Sequence, residues 1–408
     1  MRLTYMSRTH ILLLVSVSLS SFAFFTVVPT LPLYLLQLAP AGVAIAWAGV
    51  VVGASFFISA IMSPIWGSLA DRYGARAMML RSALALSAAY LLMIPARTPL
   101  ALLGTRCLAG LAAGFVPAAS AMISRVVQRE HLGKAMSSLS VARAASSMLG
   151  PAVGGFVISR AGFAAGFVMA SLSMASAFII VQFFIRAEPK NDQLAASAVS
   201  LLVKVAAPFR TIGRALGISA LRNSLLISFL YTTAMTSLQL VIPVFLQSIS
   251  RSTQEAAFLT GIAFSLGGLA SLVFGLGWGA LSDRFSYRLM LPSVLASAAV
   301  AIAAVVLTSG LFAFLSLFTL YAVILCEVGT LGNLYLLDVS PESMKGQSLG
   351  LSDSVSRLAS ALGPSVGTWF SGLVGITGTF GLVGASLLSC AMLFLVVSRR
   401  AETRQIAS

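Results

Sequence analysis

Twelve apolar runs dominate this chain, and each is long enough to cross a bilayer as a helix. They cover residues 11–34, 43–69, 77–95, 99–123, 135–159, 163–185, 223–248, 257–281, 289–309, 311–336, 346–372 and 376–397. A hydrocarbon core ~30 Å thick needs about 20 such residues. Within lipid the backbone must satisfy its own polar groups, which a helix does. Charged residues make up only 9% of the chain, against roughly 25% in a soluble protein, so a soluble fold could not clothe its surface. The expected fold is an all-α membrane protein of twelve transmembrane helices. The first run ends in Pro29 and Pro32 with no small-residue cleavage site after a short apolar core, so it is expected to stay as a helix. Cys107, Cys326 and Cys390 all lie inside apolar runs and read as small buried hydrophobes.

The net charge of +15 does not mark a nucleic-acid binder, because the basic residues sit in short gaps between runs rather than on one stripe. With the N-terminus placed in the cytoplasm, 20 Lys and Arg fall on the cytoplasmic side, Arg81 at the cytoplasmic end of the third run among them; 3 fall on the opposite side and 3 (Arg106, Arg143, Arg357) deeper within spans. The positive-inside rule then puts both termini in the cytoplasm. An even number of spans follows.

The longest gap, residues 186–222, lies near the middle of the chain, and its apolar residues recur at helical spacing between Lys204, Arg210 and Arg214. It is expected to be a cytoplasmic tether lying on the membrane surface. On either side the sequence repeats. Trp66-Gly67-Ser68-Leu69-Ala70-Asp71-Arg72 returns as Trp278-Gly279-Ala280-Leu281-Ser282-Asp283-Arg284, and Gly150-Pro151-Ala152-Val153-Gly154 as Gly363-Pro364-Ser365-Val366-Gly367, at offsets of 212 and 213. The expected organisation is a six-helix half (1–185), the linker (186–222) and a second six-helix half (223–408), related by pseudo-two-fold symmetry. Transporters with such repeats hold substrate near the midplane and rock to alternate access.

Nothing in the sequence suggests catalysis. Gly133-Lys134-Ala135 lacks the upstream glycine and the following hydroxyl of a phosphate-binding loop. His10 and His131 assemble no metal site and no nucleophile–His–carboxylate set. No cofactor or metal is expected, and an ion gradient remains as the driving force. Of the eleven carboxylates, only Glu327 and Asp353 fall inside spans. Burial raises a carboxyl pKa toward neutrality, which suits a carrier of protons. Asp353 has Arg357 one turn on and reads as a buried ion pair, whereas Glu327 has no Arg or Lys at i±3 or i±4 and reads as the better carrier. Phe22 and Phe25 in the first span, Tyr231 and Gln239 in the seventh, and Tyr321 and Asn333 in the tenth could wall a path for amphipathic compounds; ordinary helix packing is the alternative for each.

Gly67-Ser-Leu-Ala-Asp71-Arg72-Tyr-Gly74-Ala-Arg76 resembles the signature loop of the major facilitator superfamily, with Ala75 at a position that is usually basic. The resemblance implies a cytoplasmic latch formed by Asp71, Arg72 and Arg76, repeated at Asp283 and Arg284. Leu102-Leu-Gly-Thr-Arg106-Cys-Leu-Ala-Gly110 is similar to a fourth-helix pattern in which the Arg serves proton coupling. Gly150-Pro151-Ala-Val-Gly154-Gly155 resembles the family's antiporter motif, with Ser146 where another glycine is usual. Together with Pro29-Thr-Leu-Pro32, Ser63-Pro-Ile-Trp66-Gly67, Met79-Leu-Arg81-Ser and Gly114-Phe-Val-Pro117, these segments resemble the drug/proton antiporter branch and the MdtG-like multidrug exporters within it. Antiporters of that branch often keep a carboxylate in the first helix, and none is present here. The resemblance implies a proton-coupled exporter of small amphipathic compounds such as drugs. It would be a monomer in the cytoplasmic (inner) membrane with small-molecule substrate, protons and lipid as its partners. Export of an endogenous metabolite such as a siderophore, proton-coupled nutrient import, and a non-transporting receptor are the competing readings.

Overall fold

The computed structural model describes residues 8–186 and 217–406, apart from 283, 309, 327, 342 and 343. Among the described residues every regular element is a helix. In the N-terminal part these are α1 (Arg8–Val27), a 3-10 turn (Val28–Thr30), α2 (Leu31–Leu38), α3 (Ala41–Tyr73), α4 (Ala75–Leu92), α5 (Pro99–Ala112), α6 (Phe115–Val126) and α7 (Leu132–Phe184). The C-terminal part adds α8 (Ser219–Ile249), α9 (Thr253–Ser282), α10 (Tyr287–Ala303), α11 (Leu311–Leu325), α12 (Val328–Val339) and α13 (Lys345–Ile406). Prolines mark the starts: Pro29 and Pro32 open the 3-10 turn and α2, and Pro99 opens α5 behind the Thr98 cap, whose hydroxyl accepts from the Ala101 amide at 3.2 Å.

Ten helical stretches among the described residues are apolar and long enough to cross a membrane. Two of the helices are too long to be one crossing. α7 has 53 residues and α13 has 62; at ~1.5 Å per residue each is more than twice the ~30 Å core. Each breaks at one glycine of positive φ, Gly162 (φ 79°) and Gly375 (φ 77°), a conformation that only glycine adopts without strain. Each therefore makes two crossings, and the twelve-helix expectation stands. The two breaks are 213 residues apart, the offset of the Gly-Pro repeat. Leu100, Leu172, Phe183, Val300, Phe312 and Trp369 are 61–84% exposed, which suits a lipid-facing exterior.

The chain forms two compact units, Met1–Val203 with Ser250–Leu269, and Lys204–Ile249 with Ala270–Ser408. In the first, α1 packs along the front part of α7. A Cβ on Gly150 would lie 2.8 Å from Phe25 Cβ, and one on Gly154 would lie 3.2 Å from Thr26 Cα. The Thr26 hydroxyl donates to the Gly150 carbonyl at 3.2 Å. On the other side of this helix, a Cβ on Gly155 would meet the Ala257 carbonyl at 2.6 Å, and Ser265 donates to the Met148 carbonyl at 2.6 Å. In the second unit α8 packs on α13 in the same way: a Cβ on Gly363 would lie 2.8 Å from the Thr233 carbonyl, and one on Gly367 3.0 Å from Ser237 Cα. Ser237 donates to the Gly363 carbonyl at 2.7 Å. Small residues allow this close approach, and the hydroxyl bonds fix its register.

Candidate functional site

Arg106 lies on α5 and is 2% exposed. Its Nη2 donates to the Ser55 hydroxyl of α3 at 2.5 Å, and its Nε has no partner among the described residues. Gly110, one turn on, brings α5 close to α3: a Cβ there would meet the Ser55 carbonyl at 2.8 Å. A desolvated guanidinium held by one neutral hydroxyl keeps most of its affinity for an anion.

The segment 67–76 differs from the expected loop. α3 continues as a helix to Tyr73, so residues 67–73 form its last two turns and the connection to α4 is Gly74 alone, at φ 89°. Gly74 supplies the tight turn. Gly67 does not: it lies within the helix with nothing near its would-be Cβ. Arg72 is exposed, 5.3 Å from the Tyr73 ring. Arg76 reaches the end of α7 and donates to the carbonyls of Val181 (3.3 Å) and Gln182 (2.6 Å). A cation on the last carbonyls of a helix complements its dipole. The Asp71 side chain and the whole of Asp283 lie outside the described residues; Arg284 is exposed.

Gly150, Pro151, Gly154 and Gly155 are all buried, and their role is the close packing already described. Phe22 and Phe25 are half-buried against the same seam. In the second unit Tyr231 and Gln239 are half-buried on α8, and the buried Gln239 Oε1 has no partner among the described residues. Tyr321 is buried, and its hydroxyl donates to Met235 Sδ at 2.9 Å; Asn333 is exposed. Asp353 and Arg357 pair at 2.8 Å, as their spacing requires. The pair is not buried: the side chains are 64% and 37% exposed, because both project from an open face of α13. Glu327 lies outside the described residues. Among the described residues no group of three His, Cys, Asp or Glu side chains could hold a metal ion.

The family model of the Major Facilitator Superfamily matches residues 13–334 and 261–408. The chain belongs to the major facilitator superfamily. It is 32% identical over 278 residues to multidrug resistance protein MdtG of Klebsiella pneumoniae, covering 65% of this chain and 63% of that protein. It is 30% identical over 290 residues to MdtG of Yersinia enterocolitica, covering 68% and 66%. The chain thus spans less than two thirds of the length of these relatives. Solved structures share the fold: a POT family transporter (TM-score 0.75, 14% identity, 96% of each chain) and a D-xylose-proton symporter (TM-score 0.73, 14% identity, 94% of this chain and 96% of that one).

Two features of this superfamily member were missed in its sequence. Arg81 was counted among cytoplasmic charges, yet its guanidinium turns inward onto the interruption between α5 and α6. Thr26 and Ser237, 211 residues apart, make equivalent bonds to the Gly-Pro helices. A signal for the first was present. Gly114 and Pro117 inside one apolar run break a helix, and the freed carbonyls then need a donor.

Proposed function

We propose that this chain is a secondary active transporter that exports small amphipathic organic compounds, drugs among them, in exchange for protons. The observation that carries the reading is the 32% identity over 278 residues to a multidrug resistance protein. The buried Arg106, with a neutral hydroxyl as its hydrogen-bond partner, supports it: such a cation responds to an acid that gains or loses a proton nearby. In this reading Arg106 and Glu327 couple protons to transport, and the Asp353–Arg357 pair is a second titratable element. Asp71, Arg72 and Arg76 with Gly67 and Gly74, and Asp283 with Arg284 in the repeat, stabilise one state of the cycle. The Gly150-Pro151 seam holds the fifth crossing against the first, and Tyr231 and Gln239, with Phe22, Phe25, Tyr321 and Asn333, contact substrate. Two six-helix halves, 1–185 and 223–408, alternate in access about the 186–222 tether, in the cytoplasmic membrane, with both termini in the cytoplasm and the protein a monomer.

A susceptibility panel tests this reading. A strain lacking the gene should be more sensitive than its parent to several unrelated amphipathic drugs, and an overexpressing strain more resistant. Equal susceptibility of all three strains, together with loss of growth on one nutrient in the deletion strain, would replace export by import.

A further inference from the structure

The fourth crossing stops being a helix in its middle. α5 ends at Ala112, Ala113 is extended (φ −57°, ψ 161°), Gly114 takes φ 124°, and α6 begins at Phe115. An interruption leaves carbonyls without helical partners, and each then needs another donor. Arg81 of α4 satisfies them. Its Nη1 donates to Leu111 O at 3.1 Å, and its Nη2 to Ala113 O at 2.8 Å and Ala112 O at 3.4 Å. Ser82 adds a bond to Ala112 O at 2.7 Å. The guanidinium carbon lies over the Trp66 ring, 3.6 Å from its centroid. A Cβ at Gly114 would stand 3.3 Å from Arg81 Nη2, and the positive φ already disfavours any other residue there. Among the described residues Arg81 has no carboxylate partner, so its charge is directed at the helix break.

We infer that Arg81 is a positioning residue for transport, the clamp that sets the bend of the fourth crossing and so the place of Arg106 relative to α6. The inference rests on the transport reading above. The fork matters as well as the charge. Three neighbouring carbonyls and a flat aromatic face match a planar guanidinium with several donors, whereas a lysine ammonium is a point charge that cannot cover both. Trp66 immediately precedes Gly67, so a shift at the end of α3 acts on the ring under the clamp and through it on the fourth crossing.

The test uses the purified full-length protein in two readouts: amide hydrogen exchange over residues 111–118, and pH-gradient-driven transport of a fluorescent amphiphilic dye in vesicles. Arg81→Lys keeps the charge and Arg81→Gln removes it; Trp66→Phe keeps a smaller ring. Both Arg81 variants should speed exchange over 111–118 by roughly tenfold, the worth of a charge-assisted hydrogen bond, with exchange around Gly162 unchanged. Transport by Arg81→Lys should fall by a similar factor, and Trp66→Phe should lie between it and wild type. Wild-type exchange in Arg81→Lys would overturn the clamp. Fast exchange with wild-type transport would overturn its positioning role. If the wild-type protein moves no dye, the export reading fails, while the exchange measurement still decides whether the clamp exists.

Discussion

The fourth and tenth crossings occupy equivalent places in the repeat and carry different residues around them. α5 gives way to α6 at Ala113 and Gly114; α11 ends at Leu325 and α12 starts at Val328, with Cys326 in a turn between them. Glu327 follows Gly114 by 213 residues, the offset of the Gly-Pro repeat. At the interruption of the fourth crossing a cation and a hydroxyl bond the free carbonyls, and an indole lies against the cation. At the 212 offset of the Trp-Gly repeat, Arg81 and Ser82 correspond to Ser293 and Val294, neither of them charged. By contrast, the seams between the first and fifth crossings and between the seventh and eleventh match closely, down to one hydroxyl bonded to the glycine carbonyl before each proline. What the halves share is packing. Where they differ is chemistry: the cation and hydroxyl on the carbonyls of the fourth crossing have no charged counterpart at the matching positions of the second half. The proposed proton cycle calls for such a difference, because two identical halves would have no reason to respond differently to one proton.

The largest effect is expected at Glu327. Glu327→Gln, a permanent mimic of the protonated acid, should abolish uphill pH-driven transport while substrate binding and passive exchange across vesicles survive. Uphill pumping by this variant would move proton carriage elsewhere and remove the functional side of the contrast. Next comes the shared seam. Gly150→Val and Gly363→Val each force a side chain into a contact already closed at Cβ, and each should cost about 1–3 kcal/mol by overpacking, read as a lower melting temperature and yield in detergent. Tolerance at one site only would show that the seams are not equivalent. Thr26→Val and Ser237→Ala should each cost ~1 kcal/mol for a lost internal hydrogen bond, and by similar amounts.

The smallest effect is expected at the Asp353–Arg357 pair. Its spacing in an apolar run suggests burial, and a buried pair broken on one side would cost several kcal/mol. The side chains are instead open, and an exposed i,i+4 pair contributes about 0–1 kcal/mol. Asp353→Asn should therefore fold with near wild-type yield; a collapse in yield would mean that the pair is sealed in the membrane-embedded protein.

The same pair shows where sequence reading stops. Run length reveals that a residue is at membrane depth, but not which way its helix turns it. The crossings themselves were legible, because apolar length and the positions of Arg and Lys are one-dimensional properties. Their breaks were legible only in part. Gly162 and Gly375 fall in gaps between expected runs, whereas Gly114 lies inside one and was read as continuous helix. Arg81 was hidden for a related reason: a basic residue near a membrane surface looks the same in sequence whether it faces water or turns to a neighbour's carbonyls. In the 67–76 segment the motif suggests a loop, yet its first seven residues extend α3, leaving one glycine as the turn.

Proton-coupled export is tested most directly in inside-out vesicles containing the purified chain, with the lumen made more acidic than the bath. One proton moving down 100 mV supplies about 2.3 kcal/mol, enough for a readily measured accumulation. The account predicts that a fluorescent amphiphilic dye accumulates in the lumen, that a protonophore collapses the gradient of dye, and that reversing the pH gradient reverses its direction. Dye movement indifferent to the pH gradient and to the protonophore, in vesicles where the protein is folded and oriented, would contradict it.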